Sequence, residues 1–176
     1  MKIGKGCNIH HTVQIFNPDA IEIGENVRID AFCVLSGGKG IKIGSHTHIG
    51  CGCYFFGGSG IEADDFAQFA IGVVIHSDSD DWSGESLVGP QIPDEFKHLI
   101  RGKVTIKRHV LLGARCTVLP GVTLNEGAAV GAHSVIKNDL DEWSIYAGVP
   151  ARKIKARSKT MLDLERQFLL YRAGEL

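Results

Sequence analysis

The chain has 176 residues, 22 of them Gly and 5 Pro, with 44% hydrophobic and 7% aromatic residues. Its glycine share is nearly twice the usual ~7%, yet proline and apolar content are too ordinary for collagen or a disordered polymer, so a tightly turned repeat is expected. The net charge of -1 provides no whole-molecule field to recruit nucleic acid or an anionic membrane, and no apolar run reaches the ~20 residues of a membrane span.

The first residues, MKIGKGCNIHH, lack the apolar region of a signal peptide, which gives the expectation of a cytoplasmic protein. From there the chain superposes on itself at an offset of 20. Ile3-Gly4 falls on Ile23-Gly24 and Ile43-Gly44; Ile9 on Ile29, Ile49 and Phe69; Ile15 on Leu35, Phe55 and Ile75. Each unit holds three hexads, every one starting on an apolar residue, plus a two-residue extra: Ile21-Glu22, Ile41-Lys42 and Ile61-Glu62. The fifth hexad position is mostly small, as at Cys7, Cys33, Cys53, Ala67 and Cys116, so these cysteines read as reduced packing residues. A period of six fits neither a helix nor a long strand. It fits short strands separated by corners, three to a turn, stacked as a triangular prism: a parallel β-helix of about six coils.

The fourth coil breaks after His76. Between His76 and Val104 lie 27 residues where earlier coils carry four, a 23-residue insertion at the corner that bears the extras. This loop, 77–103, shows no evident regular structure, and a long insertion in a compact repeat is usually functional. Its segment SDSDDWSGE supplies Asp78, Asp80, Asp81, Trp82, Ser83 and Glu85. Such carboxylates can accept hydrogen bonds from sugar hydroxyls or an ammonium, or orient an imidazole. His76, second in its hexad, should point outward in one column with Phe56, Leu119 and Lys137. Stacked rungs put His76 and Lys137 about 10 Å apart.

From Ile106 the extras vanish, and Ile106, Leu112, Val118, Leu124, Val130 and Ile136 follow at strict intervals of six. Gly113-Ala114 and Gly131-Ala132 occupy equivalent positions one coil apart, where small residues would leave a shallow channel; Ser134 lies beside them. The tail carries Arg152 and Lys153 in a basic cluster suited to phosphates. Thr160-x-x-Asp163 reads as a capping box, with Met161, Leu164, Phe168 and Tyr171 as an apolar stripe before Gly174. A helix over about 161–172 should cap the open prism or pack on a partner subunit.

The stretch IKRHVLLGARCTVLPGVTLNEGAAVGAHSVIKNDL and the tail AGVPARKIK resemble the left-handed β-helix (hexapeptide-repeat) acyltransferase family, and the likeness covers residues 3–157. The resemblance implies an all-β domain, a left-handed parallel β-helix over 1–157, followed by a C-terminal helical segment, 158–176. It further implies a homotrimer with active sites between subunits and acetyl-CoA as acyl donor. The donor would lie along Gly113, Ala114, Gly131, Ala132 and Ser134, its phosphates held by Lys137, Arg152 and Lys153. In such a family the loop walls the acceptor pocket through Asp80, Asp81, Trp82, Ser83 and Glu85. Enzymes related to galactoside acetyltransferase use a His just ahead of the loop, which here corresponds to His76, although Ser-Asp-Ser follows where Pro-Val is usual. His109, after the loop, is the other candidate base. The implied activity is direct acetyl transfer to a hydroxyl or amine of a sugar, such as a UDP- or dTDP-linked amino sugar for surface polysaccharide. Two rival readings are a γ-class carbonic-anhydrase-like zinc protein and a non-catalytic scaffold. The first lacks the expected pair of His five residues apart, so no metal is expected.

Overall fold

Three sheets of six, eight and six strands, parallel but for the last strand of the second, form the sides of a prism in a computed structural model that describes residues 1–175. The parallel β-helix expected from the repeat is the observed fold. Ile3 pairs with Ile23, Ile23 with Ile43 and Ile43 with Ala63, the 20-residue step. Thr105 pairs with Thr123, Leu111 with Ala129 and Thr117 with Val135, the 18-residue step. Across the insertion Ile61 pairs with Val104, Gln68 with Leu111 and Val74 with Thr117, so the extra residues leave the stack without shifting it.

The first hexad positions fill the interior: Ile29, Leu35, Ile49, Phe55, Ile75 and Leu112 are buried. Each such side chain contributes roughly 1.5–3 kcal/mol by leaving water. Ile21, Ile41, Ile61 and Val104, which open the two-residue extras, are buried as well. The extra therefore widens one side of the prism by an inward residue rather than looping out. At the fifth position the thiols do more than fill space. Cys33 Sγ donates to the Gly50 carbonyl (3.1 Å), Cys53 Sγ to Ala70 (3.2 Å) and Cys116 Sγ to Gly131 (3.1 Å), each one coil along.

Glycine is not the sole occupant of the left-handed corners. Asn26, His46, Phe66 and His109 adopt φ of 54°, 58°, 61° and 61° at one corner of successive coils. The conformation costs such residues about 1–2 kcal/mol. Stacking of His46 on Phe66 (4.9 Å) and of Phe66 on His109 (5.2 Å) offsets it, at about 0.5–1.5 kcal/mol per aromatic pair.

Beyond the six expected coils comes a partial seventh. Leu124 bridges to Leu140, Ala129 pairs with Ile145 and Val130 with Tyr146, and Leu140 and Tyr146 are buried. An antiparallel strand, Arg152–Ala156, then closes this edge. The helix, α1, spans Met161–Ala173 and ends at Gly174 with φ 76°. Its start is not the expected capping box: Ser158 Oγ accepts the Thr160 N–H (3.2 Å), and Asp163 pairs with Arg166. Nor does α1 cover the open N-terminal end, where Ile3 stays exposed. It lies along the aromatic corner instead, with Phe168 edge-on to His46 (5.3 Å) and Arg172 bonded to Asn26 (3.2 Å). The inserted loop also has regular structure. Asp78–Ser79 pairs antiparallel with Ile100–Arg101, and Asp94–Phe96 forms a 3-10 turn.

Candidate active site

His76 ends the strand Val74–His76, whose central Ile75 is fully buried, so alternation turns the imidazole outward. Phe56 pairs with it one coil below, and their rings stack at 5.3 Å with a 15° tilt. Half-buried, the ring has its pKa pushed below 6.5 by loss of water, which leaves it neutral at pH 7. Among the described residues nothing hydrogen-bonds to it. Ser77 follows, fully buried, and fastens the arm to the stack. Its Oγ donates to the Phe56 carbonyl (2.9 Å) and accepts the Ser59 N–H (2.8 Å), while its own carbonyl accepts the Gly102 N–H (2.9 Å).

The arm then folds beside His76 to enclose a pocket of about 720 Å³. One wall is His76, Thr117 and Leu119 of the prism; the other is Asp78, Ser79, Asp80, Trp82, Lys97 and Leu99 of the arm. Asp80 Oδ1 accepts the Gly89 N–H (3.3 Å), and Trp82 Nε1 donates to Ser79 Oγ (2.9 Å). Lys97 brings a cation to the pocket, paired with Asp94 at 3.1 Å. A neutral imidazole facing carboxylates is an arrangement that can hold a cationic amine and accept its proton. A second depression, about 520 Å³, lies on another side among Lys2, Glu22, Lys42, Glu62 and Arg108. Its charges neutralise one another, as in Lys2–Glu22 (2.7 Å) and Arg108–Asp65 (3.2 Å), and it holds no histidine.

Of the five arm residues expected to bind acceptor, the pocket receives Asp80 and Trp82. Asp81 is consumed within the arm: it accepts the Ser83 N–H (2.8 Å), Ser83 Oγ (2.9 Å) and Ser86 Oγ (3.0 Å). The Ser83 amide and hydroxyl hold its pKa down to about 2. Ser83 thus shapes the loop, and Glu85 lines a separate shallow depression with Phe96 and His98. Sequence reasoning missed Thr117 and Lys97 as pocket residues. Thr117 was reachable, since it shares a column with Val74. Lys97 carries no local signal, because the 3-10 turn brings it back.

His109 is placed elsewhere, on the aromatic corner. It is 4% exposed beneath α1, its Nε2 within 2.6 Å of Glu165. Glu165 also meets Arg108, and Arg157 donates to the carbonyls of His109 (2.8 Å) and Gly127 (3.0 Å). Every face of this histidine is therefore occupied.

Along coils five and six the small residues align as expected, and close stacking accounts for the first of them. A Cβ on Gly113 would sit 2.6 Å from the Ala132 nitrogen. Gly113, Ala114 and Gly131 are half-buried and Ala132 exposed. Lys137 and Arg152 are exposed, while Lys153 pairs with Asp141 at 3.0 Å. Ser134 departs from the expectation: it is fully buried, donating to the Gly131 carbonyl (2.7 Å) and accepting the Gly148 N–H (3.0 Å), so its side chain faces the core. Among the described residues no group of three or more His, Cys, Asp and Glu is placed to hold a metal ion.

Comparison with known proteins agrees with this geometry. The family model "Bacterial transferase hexapeptide (six repeats)" matches residues 103–138. The chain is 38% identical over 167 residues to dTDP-4-amino-4,6-dideoxy-D-glucose acyltransferase of Escherichia coli, covering 94% of this chain and 87% of that protein. It is 46% identical to AntD, an N-acyltransferase from Bacillus cereus solved with dTDP and 3-hydroxybutyryl-CoA, with a TM-score of 0.94 over 97% of this chain and 90% of that one. A hexapeptide-repeat acetyltransferase of Vibrio cholerae, VCA0836, shares the fold at 19% identity and a TM-score of 0.65, over 90% of this chain and 74% of that one. The chain therefore belongs to the hexapeptide-repeat acyltransferase family and is an acyltransferase.

Proposed function

We propose that the protein transfers an acyl group from coenzyme A to the amino group of a dTDP-linked 4-amino-4,6-dideoxy sugar, with His76 as general base. The observation that carries this reading is the pocket where a neutral imidazole faces Asp78 and Asp80. The near-full-length likeness to an N-acyltransferase solved with dTDP and an acyl-CoA supports the choice of substrates.

An amino sugar arrives largely as its ammonium, which the carboxylate of Asp80 attracts. His76 removes a proton, the freed amine attacks the thioester carbonyl, and a C–N bond forms. As the tetrahedral intermediate collapses, the C–S bond breaks, the nitrogen gives up its second proton, and coenzyme A leaves as the thiol. No acyl-enzyme is needed, and Cys33, Cys53 and Cys116, turned into the core, offer none. The donor would lie along Gly113, Ala114, Gly131 and Ala132, with Lys137 and Arg152 free for its phosphates and Lys153 released from Asp141 to join them. His109 serves as a strut rather than a base, because its ring is clamped by Glu165 and the neighbouring aromatics.

The protein works as a homotrimer in the cytoplasm, where acyl-CoA is at hand. Exposed apolar residues on the prism's sides and corners, among them Phe16, Leu111, Phe32 and Ile71, suit burial between subunits. No helix is long and apolar enough to cross a membrane among the described residues. The test is thiol release from acetyl-CoA and 3-hydroxybutyryl-CoA, with dTDP-4-amino-4,6-dideoxyglucose, a UDP-linked amino sugar and a simple galactoside as acceptors. Turnover with the dTDP-amino sugar alone is expected. Turnover confined to a hydroxyl acceptor would overturn the reading.

A further inference from the structure

Half of the large apolar side chains left exposed among the described residues stand on two excursions from the prism. Five are on α1, among them Leu164 and Tyr171 at 62% and 69% exposed, and five on the arm, among them Trp82 at 87%. Eight of the 13 residues of α1 are apolar, yet none is buried. A helix apolar around its whole circumference is one that its surroundings should cover. The prism covers a single stripe of it: Glu165, Phe168 and Arg172 meet His109, His46 and Asn26. Leu164 and Tyr171, seven residues apart, flank that stripe and stay in water.

The remaining exposed apolar residues indicate what comes to lie there. The first sheet turns a charged row outward, Lys2, Glu22, Lys42 and Glu62. Tyr54 and Phe56 stand on the third sheet, Leu111 on the second, and Phe32 and Ile71 on the corner those two share. In a ring of three copies each interface joins two different surfaces, so burying both apolar sides sets the third sheet of one copy against the second sheet of the next. The arm leaves at the corner between the third and first sheets, and α1 covers the corner between the first and second. In such a ring the arm of one copy therefore lies beside the α1 of its neighbour. A ring axis parallel to the prism keeps the coils level, and the heights agree. The helix reaches from His109 in the fifth coil to Asn26 in the second, while the arm leaves the fourth. Charge favours the same pairing. The arm, 77–103, has six carboxylates to three Lys or Arg, and the stretch 152–159 leading into α1 has five Lys or Arg and no carboxylate.

We propose that the outer face of α1 is a docking surface for the arm of a second copy of this chain, which braces each His76 pocket from behind; this rests on the homotrimer proposed above. Within one chain the arm is tied down at its root, by Ser77 and by the pairing of Asp78–Ser79 with Ile100–Arg101. Asp80 and Trp82 stand farther out on the pocket wall, where the neighbour's helix holds them. Glu165 is on the opposite face of α1 and is no part of the contact.

The test is Leu164→Gln combined with Tyr171→Gln, which removes the apolar flank and keeps helix-forming residues. Light scattering should give a trimer for the wild type and for the double variant, because the sheets still meet. Trp82 fluorescence, isolated by difference from Trp82→Phe, should be shielded from acrylamide in the wild-type trimer and lose that shielding in the double variant. KM for dTDP-4-amino-4,6-dideoxyglucose should rise about tenfold, the scale of burying one apolar side chain, with KM for acyl-CoA unchanged. Trimers mixed from double-variant chains and Trp82→Phe chains separate the copies. Their only Trp82 belongs to chains whose own α1 is altered, and it should regain shielding wherever the neighbour's helix is intact. A wild-type trimer whose Trp82 quenches as freely as in the double variant, shielding that follows a chain's own helix, or an unmoved acceptor KM overturns the proposal and leaves the trimer standing. A monomeric wild type overturns both. Should the wild type not acylate the amino sugar, the acceptor reading falls and the quenching alone decides the docking.

Discussion

Two corners of the prism each carry a histidine covered by a chain excursion, and the two are built to opposite ends. At the aromatic corner α1 lies down on His109, and Glu165, Arg108, Arg157, Phe66 and Trp143 occupy its surroundings. At the other corner the arm passes beside His76 without bonding to it, and leaves an open pocket with one stacked partner, Phe56. The first corner uses its polar groups to hold the fold. The second withholds them, and an imidazole free of hydrogen bonds to the described residues is the one available to a substrate.

The sharpest way to break this comparison is to exchange the two losses. His76→Ala should lower kcat/KM about 10²- to 10⁴-fold, the usual worth of a general base, with Tm nearly unchanged. A steady-state thiol-release assay beside a melting curve checks both halves. The pH profile should agree. Burial lowers the pKa of His76 below 6.5, so kcat/KM should hold its plateau down past pH 6.5 and then fall about tenfold per unit as the ring protonates. The same shift makes the folded state prefer neutral His76, so its contribution to stability is present above pH 6.5 and lost as pH falls below it. An inflection above 6.5 would move the base to another group.

The opposite result is expected at the aromatic corner. Glu165→Ala strips the partner from His109, whose side chain is 3% exposed, while Arg108 keeps Asp65 at 3.2 Å. Leaving such a donor unpaired costs about 1–3 kcal/mol. For a chain of this length that amounts to a fall in Tm of ~3–10 °C. Activity per folded molecule should be unchanged. A catalytic loss in Glu165→Ala that exceeds the loss in His76→Ala would reverse the assignment of base and strut.

The sequence period made most of the prism legible, because each coil restates the one before. The pairing of Ile61 with Val104 places the insertion and its length where the repeat put them. What escaped lies where the repeat stops speaking. The partial seventh coil was hidden because Leu140 follows Ile136 after four residues instead of six. The seat of α1 was hidden because its partners are remote: Glu165 and His109 are 56 residues apart, and no local pattern encodes the contact. Ser134 is a different case. The hexad register already put it at the inward fifth position, and its hydrogen bonds follow from that position, so the structure corrects the reading of it as a coenzyme contact. Within the arm, composition drew attention to the carboxylates but could not sort them, since Asp80 and Asp81 differ only in which way the folded loop turns them.

That sorting gives the smallest and most discriminating prediction. Asp81 is bonded three times by Ser83 and Ser86 and lies outside the pocket, so it shapes the arm that carries Asp80 and Trp82 without touching the acceptor. Asp81→Ala should raise the acceptor KM by a factor of about 2–10, the scale of one exposed hydrogen bond, and leave kcat alone. With a pKa held down to about 2, Asp81 stays ionised through any assay near neutrality, and its support for the arm fades only as pH falls toward that value. Asp81→Asn should then behave like Asp81→Ala in kind but more mildly, because the amide oxygen can still accept the Ser83 N–H. A loss of kcat in Asp81→Asn as large as in Asp80→Asn would place both carboxylates on the acceptor and undo the distinction between the residue that shapes the arm and the one that meets the substrate.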